Sequence, residues 1–360
     1  MNNPLRLAVI TVLRIFSRTS AATHCLSPEN PTTNLARPPA RRLFFLAIGA
    51  LASLLATAPV KAQVMPPDGT YYGKTYGQWV EALFQYAFSL PTSHNPLTDT
   101  AEASAGQSGS VWFLGAPPVH VVGEVVVRSA TIPGGKALFF PIYGVWTDNT
   151  DCDGDQRISD EFGEAQLRYW VTTFADSVHD LRCTIDGSAV PGLADATTTA
   201  YRVQSSTPGG FSYTLSGEDN WLSSLLGLSC WTNNTGEPIT VDASIYHPVA
   251  DGYYLLVAPF APGPHTIDWY FEFGSPVTFS QEVSYSLTVL PPMLSVAWQG
   301  TNIVISWPQM ASSNVLETTS SLHPTSWSSV DATNQALGDG YQVTLPVGGS
   351  NQFFRLRQSP

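Results

Sequence analysis

Two stretches of the chain repeat their apolar residues at the spacing of an α-helix. In residues 76–90 these side chains recur every three or four positions on one face, and Pro91 ends the pattern. A second, longer stripe begins at Leu167 and is typical of a helix that packs against a core. The stripe residues are Trp79, Leu83, Tyr86 and Ala87 in the first stretch, and Leu167, Trp170, Val171, Phe174, Val178 and Leu181 in the second. The pattern predicts two helices, the second running through Leu181.

Short β-branched or aromatic runs, separated by proline- and glycine-containing turns, make up most of the remaining pattern. Asp186-Gly187 between two such runs is a strong signal for a tight hairpin. Strands at this density favour a β-sandwich. The predicted strands are residues 110–114, 121–129, 136–142, 182–185, 188–190, 201–204, 211–215, 239–245, 253–259, 265–273 and 283–289.

Leu290-Pro291-Pro292 interrupts the strand pattern and is typical of a linker. Beyond it, short strands are predicted in residues 294–298, 302–307, 314–319, 327–330, 341–346 and 352–356. The expected fold class is therefore mainly β. A β-sandwich domain with two accessory α-helices spans 63–290, and a small fibronectin-III-like β-sandwich spans 293–360.

The first 62 residues have the pattern of an export signal. Arg41 and Arg42 precede an apolar run at 43–56, and Val60-Lys61-Ala62 forms a small-x-small cleavage site before Gln63. The run is shorter than the ~20 residues that span a bilayer, so a cleaved signal is favoured over a membrane anchor. Residues 1–40 are explained by a start site assigned too far upstream or by a long n-region. The mature protein is expected to be secreted or periplasmic, without a membrane span.

The charge of the chain changes sharply after this signal. Residues 1–62 hold seven of the 16 basic residues and one of the 28 acidic residues, which leaves the remainder with 9 against 27 and a net charge of −18. Such a surface repels nucleic acid, which is excluded as a partner. It is compatible with cations or with neutral ligands such as sugars.

Three cysteines, Cys152, Cys183 and Cys230, follow the signal. An oxidising compartment permits a disulfide, and Cys152 and Cys183 flank the second predicted helix. The alternative is three buried free thiols.

An acidic segment ahead of the second helix has the spacing of a calcium loop. Asp151, Asp153 and Asp155 occupy positions 1, 3 and 5, and Ser159 occupies position 9. With Glu161 these residues are the predicted ligands of a structural calcium, similar to an EF-hand or dockerin-like loop.

Two departures weaken the loop pattern. Position 6 is Gln156 instead of glycine, and position 12 is Phe162, with Glu161 one place early. The alternative is a solvated acidic turn whose carboxylates favour the start of the helix.

Tryptophans in predicted loops are candidates for stacking on sugar rings: Trp146, Trp221 and Trp231. The alternative is burial in the core of the sandwich, where aromatic side chains are common.

Two resemblances extend these expectations. Residues 303–308, Val315-Leu316-Glu317 and residues 352–356 make the tail similar to a C-terminal module of many secreted proteins from environmental bacteria. The region 70–290 resembles an uncharacterised family of secreted bacterial β-rich proteins. The stretches that carry this second resemblance are residues 72–79, 106–114, 133–142, 250–254 and 262–267. The first resemblance implies an accessory or surface-association role, and the second implies no particular activity.

Two functions remain open at this level. The first is a secreted, surface-associated binding protein whose ligand is a polysaccharide or another cell-surface component. The second is a carbohydrate-active hydrolase or lyase, for which Glu81, His247, Asp251 and Asp219 are the candidate acid–base groups.

Overall fold

The computed structural model describes residues 63–98, 103–118, 121–149, 162–217, 219–222, 236–308, 314–324, 326–330, 335–337, 340–348 and 351–358. Up to Leu290 the elements are, in chain order, β1 (Thr70–Tyr71), β2 (Lys74–Thr75), α1 (Tyr76–Ser89), β3 (Val111–Phe113), β4 (Glu124–Ile132), β5 (Ala137–Thr147), α2 (Glu164–Asp176), β6 (Val178–Ile185), β7 (Ser188–Ala189), β8 (Tyr213–Leu215), β9 (Ile239–Val241), α3 (Ala243–Tyr246), β10 (Val249–Val257), β11 (Gly263–Phe273) and β12 (Phe279–Val289). The mainly β class predicted from the sequence is confirmed.

A three-stranded sheet in the order β10-β5-β3 is the middle layer of the fold that the elements up to Leu290 form. All nine residues of β10 are buried, because α1 covers one face of this sheet and a second sheet covers the other. Alternate residues of β10 belong to different cores: Tyr254 and Leu256 lie in the core under α1, and Tyr253 and Leu255 in the core between the sheets.

The second sheet has five strands in the order β4-β12-β11-β6-β7. Its strands alternate between buried and exposed residues, as expected when one face packs on the core and the other meets solvent. β4 pairs in parallel with β12 and is an edge strand of the sheet.

Helix α1 confirms the first helix prediction almost to its ends. Thr75 and Gln78 form a capping box at its start, and Pro91 follows its last turn. Phe88, completely buried, packs in the core on the α1 side. Complete burial of such a side chain contributes roughly 1.5–3 kcal/mol to folding.

The second helix prediction is right at its start and wrong at its end. Helix α2 ends at Asp176, and Val178 and Leu181 belong to strand β6. A β-bulge places Asp180, with φ of 52°, in the strand, so that Val178 and Leu181 both face the core although they are three residues apart. A bulged strand thus reproduces the spacing of a helix.

Two predicted strands differ in the structure. Residues 201–204 form only an isolated bridge, between Arg202 and Tyr253, and the predicted strand 239–245 is β9 followed by the short helix α3. Asp242 caps that helix by accepting a hydrogen bond from the Ser244 N–H, and this local bond ends the strand.

The residues after the linker form two further sheets around a core of their own. Their strands are β13 (Ser295–Gln299), β14 (Asn302–Pro308), β15 (Asn314–Thr319), β16 (Ser328–Ser329), β17 (Gln335–Leu337), β18 (Gly340–Pro346) and β19 (Phe353–Gln358). They form sheets β13-β14-β18-β17 and β16-β15-β19, with Ile305, Trp307, Leu316 and Val343 buried in this core.

Cys183 is a free thiol buried in the core between the two sheets, and burial raises its pKa far above the ordinary value. Cys152 and Cys230 lie outside the described residues. Among the residues described, no helix has the length and apolar character needed to cross a bilayer.

Candidate functional site

An open cavity of about 430 Å³ lies where α2 ends and β6 begins. Its walls come from three segments that are distant in sequence: the α2–β6 junction, the loop 194–197 and the turn at Gly274-Ser275. The polar side chains that line it include Asp176, Ser177, His179, Asp180, Asp195 and Thr197. One wall of the cavity is therefore the junction where α2 ends and β6 begins, which the sequence pattern did not predict.

The acidic side chains of the cavity are held by hydrogen bonds within the protein. Asp195 accepts hydrogen bonds from the N–H and hydroxyl of Thr197 and from the hydroxyl of Thr198. These bonds, that of the Thr197 hydroxyl foremost, lower the pKa of Asp195 and keep its carboxylate ionised. Asp180 pairs with Arg182 at 2.6 Å. The cavity therefore presents preorganised hydrogen-bond acceptors.

His179 lies between two acceptors. Its Nε2 is 2.8 Å from the carbonyl oxygen of Gly274, and its Nδ1 is 3.4 Å from a carboxylate oxygen of Glu272. The Tyr270 hydroxyl donates a hydrogen bond to the other carboxylate oxygen of Glu272, at 2.6 Å. Both ring nitrogens of His179 thus have partners inside the protein.

A polar network connects this cavity with the middle sheet. The Arg202 guanidinium bridges Asp176 at the cavity and Asp251 on β10, which is fully buried. Burial by itself would lower the pKa of Arg202, but the hydrogen bonds that its guanidinium donates to Asp251 and Asp176 raise this pKa above the ordinary value. Asp251 also accepts hydrogen bonds from Gln204 at 2.9 Å and from the N–H of Gly252 at 2.7 Å.

Gly252, which follows Asp251 in β10, has a backbone conformation that L side chains rarely adopt. Its φ is 154°, and a Cβ there would lie 2.3 Å from the Tyr143 carbonyl oxygen. A side chain at this position would push β10 away from β5, because backbone cannot yield as a flexible side chain can.

The other acid–base candidates also serve the fold. Glu81 accepts hydrogen bonds from the loop at Ser206 and Thr207, and His247 Nδ1 lies 3.0 Å from the Gly209 carbonyl oxygen. Asp219 accepts a hydrogen bond from the Ser93 N–H at 3.0 Å. Glu81, His247, Asp251 and Asp219 are not among the residues that line the cavity.

Two of the candidate tryptophans pack on the core under α1. The ring centroid of Trp146 is 4.8 Å from that of Phe88, and Trp221 stacks on the same ring at 5.9 Å. Trp146 is part of β5, so its predicted place in a loop is wrong. Trp231 lies outside the described residues.

The predicted calcium ligands, Asp151, Asp153, Asp155, Ser159 and Glu161, lie outside the described residues, but both ends of their loop are described. The side-chain amide of Asn149 donates a hydrogen bond to the carbonyl oxygen of Phe162. The backbone N–H of Asn149 donates to the Tyr246 carbonyl oxygen at 2.8 Å. Residues 149 and 162 therefore lie together at the base of the loop.

Asn149 has a further feature at this position. It is 3% exposed, and its Oδ1 atom has no hydrogen-bond partner among the described residues. An amide oxygen is one of the ligand types that calcium prefers. In the part of the chain that the structure describes, no three His, Cys, Asp or Glu side chains are grouped so that they could hold a metal ion.

The sequence matches no protein-family model and no curated protein.

Proposed function

We propose that the protein is exported and binds a neutral, hydroxyl-rich ligand, such as a surface glycan, in the cavity between α2 and β6. The observation that carries this proposal is that hydrogen bonds within the protein hold two carboxylates of the cavity in fixed positions. Asp180 and Asp195 are hydrogen-bond acceptors held in place by neighbouring side chains. Fixed acceptors suit the hydroxyl donors of a sugar, because no ordering of the site is needed when the ligand binds.

Export is supported by the way the chain enters the fold at the predicted cleavage site. The Gln63 carbonyl oxygen accepts a hydrogen bond from Ala258, and Val64 forms a bridge with Val257 at the end of β10. Cleavage before Gln63 leaves this anchor intact. N-terminal sequencing of protein from the extracytoplasmic fraction tests the proposal, and a sequence that begins at Met1 contradicts it.

A structural calcium in the acidic loop is the second part of the proposal. Two observations support this proposal: the hydrogen bond from Asn149 to Phe162 brings the two ends of the acidic segment together, and the buried Asn149 Oδ1 is a calcium-ligand type without a partner among the described residues. Asp151, Asp153, Asp155, Ser159 and Glu161 would supply the other ligands. The role of the ion would be to order the loop ahead of α2.

The tail is proposed to be a fibronectin-III-like accessory module for surface association. Its two sheets, of four and three strands around a separate core, support this proposal.

Titration of the mature protein with soluble neutral oligosaccharides of glucose, xylose and N-acetylglucosamine tests the ligand class. We expect saturable binding by calorimetry, weakened about tenfold or more by Asp195→Asn, because one charge-assisted hydrogen bond contributes roughly 1.5–3 kcal/mol. Asp68→Asn is the matched control, since Asp68 is exposed and is not among the residues that line the cavity. Binding of the polyamine spermidine in place of these sugars would contradict the proposal.

A hydrolase or lyase is the second candidate, favoured by the presence of His179, Asp180 and Asp195 in one cavity. The hydrogen bonds that these groups make within the protein argue against an enzyme, because a general acid or base must exchange its proton with the substrate. Incubation with the same oligosaccharides separates the two: we expect no shortened products, and release of products identifies an enzyme.

A further inference from the structure

Strand β13 is the free edge of the four-stranded sheet in the tail, residues 293–360. All five of its residues are exposed, and within the described residues it pairs only with β14. Val296 is 57% exposed and Trp298 is 74% exposed. Proline and charged residues, which protect many edge strands from pairing, are absent from the sequence of β13. The strand is therefore a template for the addition of a further strand.

Val296 and Trp298 lie on the face of this sheet that forms the core of the tail. Their partners on β14 are Ile305 and Ile303, and both isoleucines pack in that core. Side chains directly opposite each other in an antiparallel pair lie on the same face. The apolar face therefore continues onto β13, where its side chains are no longer covered. Trp298 makes no hydrogen bond and no ring contact with any described residue, so its side chain is available to a partner.

The backbone groups of the same two residues face the free edge. Gln299 and Asn302 are paired across a two-residue turn between β13 and β14. In such a hairpin the residues that close the turn exchange hydrogen bonds, and the direction of the backbone groups then alternates along the strand. Gln299 and Ala297 therefore bond to β14, whereas the N–H and C=O groups of Val296 and Trp298 point away from it.

These outward backbone groups restrict the registers in which a second copy can pair. In antiparallel pairing about a two-fold axis at Ala297, Val296 of each copy lies opposite Trp298 of the other, and the two can exchange hydrogen bonds. An axis between two residues would place outward groups opposite inward ones. An axis at Val296 would need Leu294, which packs in the tail core, and an axis at Trp298 would place Val296 opposite Gly300 of the turn. The axis at Ala297 is therefore favoured.

A second copy fits this edge better than a glycan does. On the core-side face β13 carries only the side chains of Val296 and Trp298, because Ser295, Ala297 and Gln299 point to the opposite face. A sugar ring that stacks on an indole also needs polar groups for its hydroxyls. An apolar side chain from a second copy has no such requirement.

The distribution of charge also favours contact through the tail. Residues 293–360 contain three acidic and two basic residues, a net charge of −1, which leaves −17 of the total of −18 on residues 63–292. Surfaces of like charge repel each other. Two copies therefore meet less repulsion through their tails than through the rest of the mature chain.

We propose that the mature protein forms a two-fold symmetric dimer through antiparallel pairing of β13 with β13 of a second copy, centred on Ala297. The pairing would join two four-stranded sheets into one continuous sheet, in which Val296 of each copy packs beside Trp298 of the other. This inference is independent of the proposed ligand and its cavity.

Sedimentation of the mature full chain tests the dimer across a concentration series to about 100 μM, because an interface of one short strand is small and therefore weak. The Val296→Lys/Trp298→Lys variant places lysines directly opposite each other and should raise the dimer dissociation constant about tenfold or more. Val125→Lys/Val127→Lys, at two exposed valines of the edge strand β4, is the matched control and should leave dimerisation unchanged. All four positions are exposed, so circular dichroism at concentrations where the parent protein is monomeric should be the same for the three proteins.

Single cysteine variants test the register. With the axis at Ala297, the two copies of this residue form a pair without mutual hydrogen bonds, whose Cα atoms are ~4.5 Å apart and within the range of a disulfide. Ala297→Cys should therefore form a covalent dimer on mild oxidation. Gln299→Cys is the matched control and should not exceed the parent protein, because the two copies of residue 299 lie about four residues apart along the strands, ~13 Å.

The outcomes that overturn the proposal are distinct. A parent protein that remains monomeric at 100 μM overturns it, as does a dimer that is unaffected by the lysines in β13 or is weakened by those in β4. Cross-linking of Gln299→Cys in place of Ala297→Cys overturns the register. A monomeric protein that loses its binding of neutral oligosaccharides on Trp298→Lys would identify a glycan, instead of a second copy, as the partner of β13.

Discussion

Glu81 on α1 accepts two hydrogen bonds from Thr207, one from the backbone N–H at 2.6 Å and one from the hydroxyl at 2.7 Å. The two residues are 126 positions apart, and Glu81 is almost completely buried. Arg168 of α2 donates to the Ser205 and Thr207 carbonyl oxygens of the same loop. The loop is thus held from one side by a carboxylate and from the other by a guanidinium.

Glu81→Ala should lower the free energy of unfolding by about 3 kcal/mol, because it leaves buried donors of the loop without an acceptor. Glu81→Gln should cost less, since the amide oxygen can still accept one of these bonds. Urea unfolding measures both variants. Glu282→Gln, at an exposed position on β12, is the control and should change stability by no more than about 0.5 kcal/mol. Equal stabilities of Glu81→Ala and the parent protein would show that the clamp has no energetic role.

Millimolar calcium should raise the melting temperature of the mature protein. Three aspartates at alternate positions repel one another in a compact loop, and a bound cation relieves this repulsion. The loop has Gln156 where glycine is expected and Phe162 where glutamate is expected. Both departures indicate weak affinity for calcium, with a dissociation constant of ~10⁻⁴ to 10⁻³ M. A hundredfold excess of calcium over its dissociation constant would add about 2.7 kcal/mol.

Asp153→Ala should abolish most of this rise in melting temperature, and Asp68→Ala should leave it intact. Magnesium should have a smaller effect, because it requires a tighter octahedral shell. Identical melting curves in calcium and in chelator would identify the loop as an ordinary acidic turn.

Acid should remove the stabilisation that Glu164 contributes. Burial alone would raise its pKa, but hydrogen bonds from Arg168 and from the Gly209 N–H lower it below the ordinary value. A lowered pKa in the folded state means that the contribution is complete above the unfolded value of ~4.3 and is lost as the pH falls through the folded value.

Glu164→Gln should therefore destabilise the protein by about 1 kcal/mol at neutral pH and progressively less as the pH falls below about 4. Unfolding free energies measured over this pH range check the sign. A difference between Glu164→Gln and the parent protein that grows toward low pH would contradict the assignment.

Limited proteolysis should cut close to Leu290–Met293 and release two folded pieces. Met293 is 76% exposed, whereas Leu290 is tied to Ile132 by a backbone hydrogen bond of 2.8 Å. A Cβ on Gly134 would lie 2.4 Å from the Leu290 carbonyl oxygen, so the start of the linker lies close against that glycine. We expect the first cut on the Met293 side of the two prolines. An isolated 293–360 fragment without a cooperative melting transition would move the domain boundary.

The sequence determined the elements whose signals are local. Helix α1 follows from one apolar stripe, the Thr75–Gln78 capping box and Pro91, all within its own segment. The hairpin at Asp186-Gly187 follows from two residues that adopt positive φ values of 49° and 72°. Short-range sterics and hydrogen bonds suffice for such features, so no knowledge of the tertiary fold is needed.

Tertiary structure alone decided the end of the second helix and, with it, the cavity. Val178 and Leu181 have helical spacing, but pairing with β11 and the bulge at Asp180 make them part of a strand. Ladder hydrogen bonds to a strand nearly a hundred residues later outweigh a local periodicity. The cavity forms at the junction that this pairing creates.

Glu81 and Asp251 each left a signal in the sequence that can be interpreted only through the fold. Glu81 lies among the apolar residues of the α1 stripe, and Asp251 lies within the continuous apolar run of β10. A carboxylate in such a run must find buried donors, because an unpaired buried charge is too costly. The donor for Glu81 is the loop at Thr207, and the donor for Asp251 is Arg202. Contacts between segments far apart in the chain decided these partners, so no spacing in the sequence predicts them.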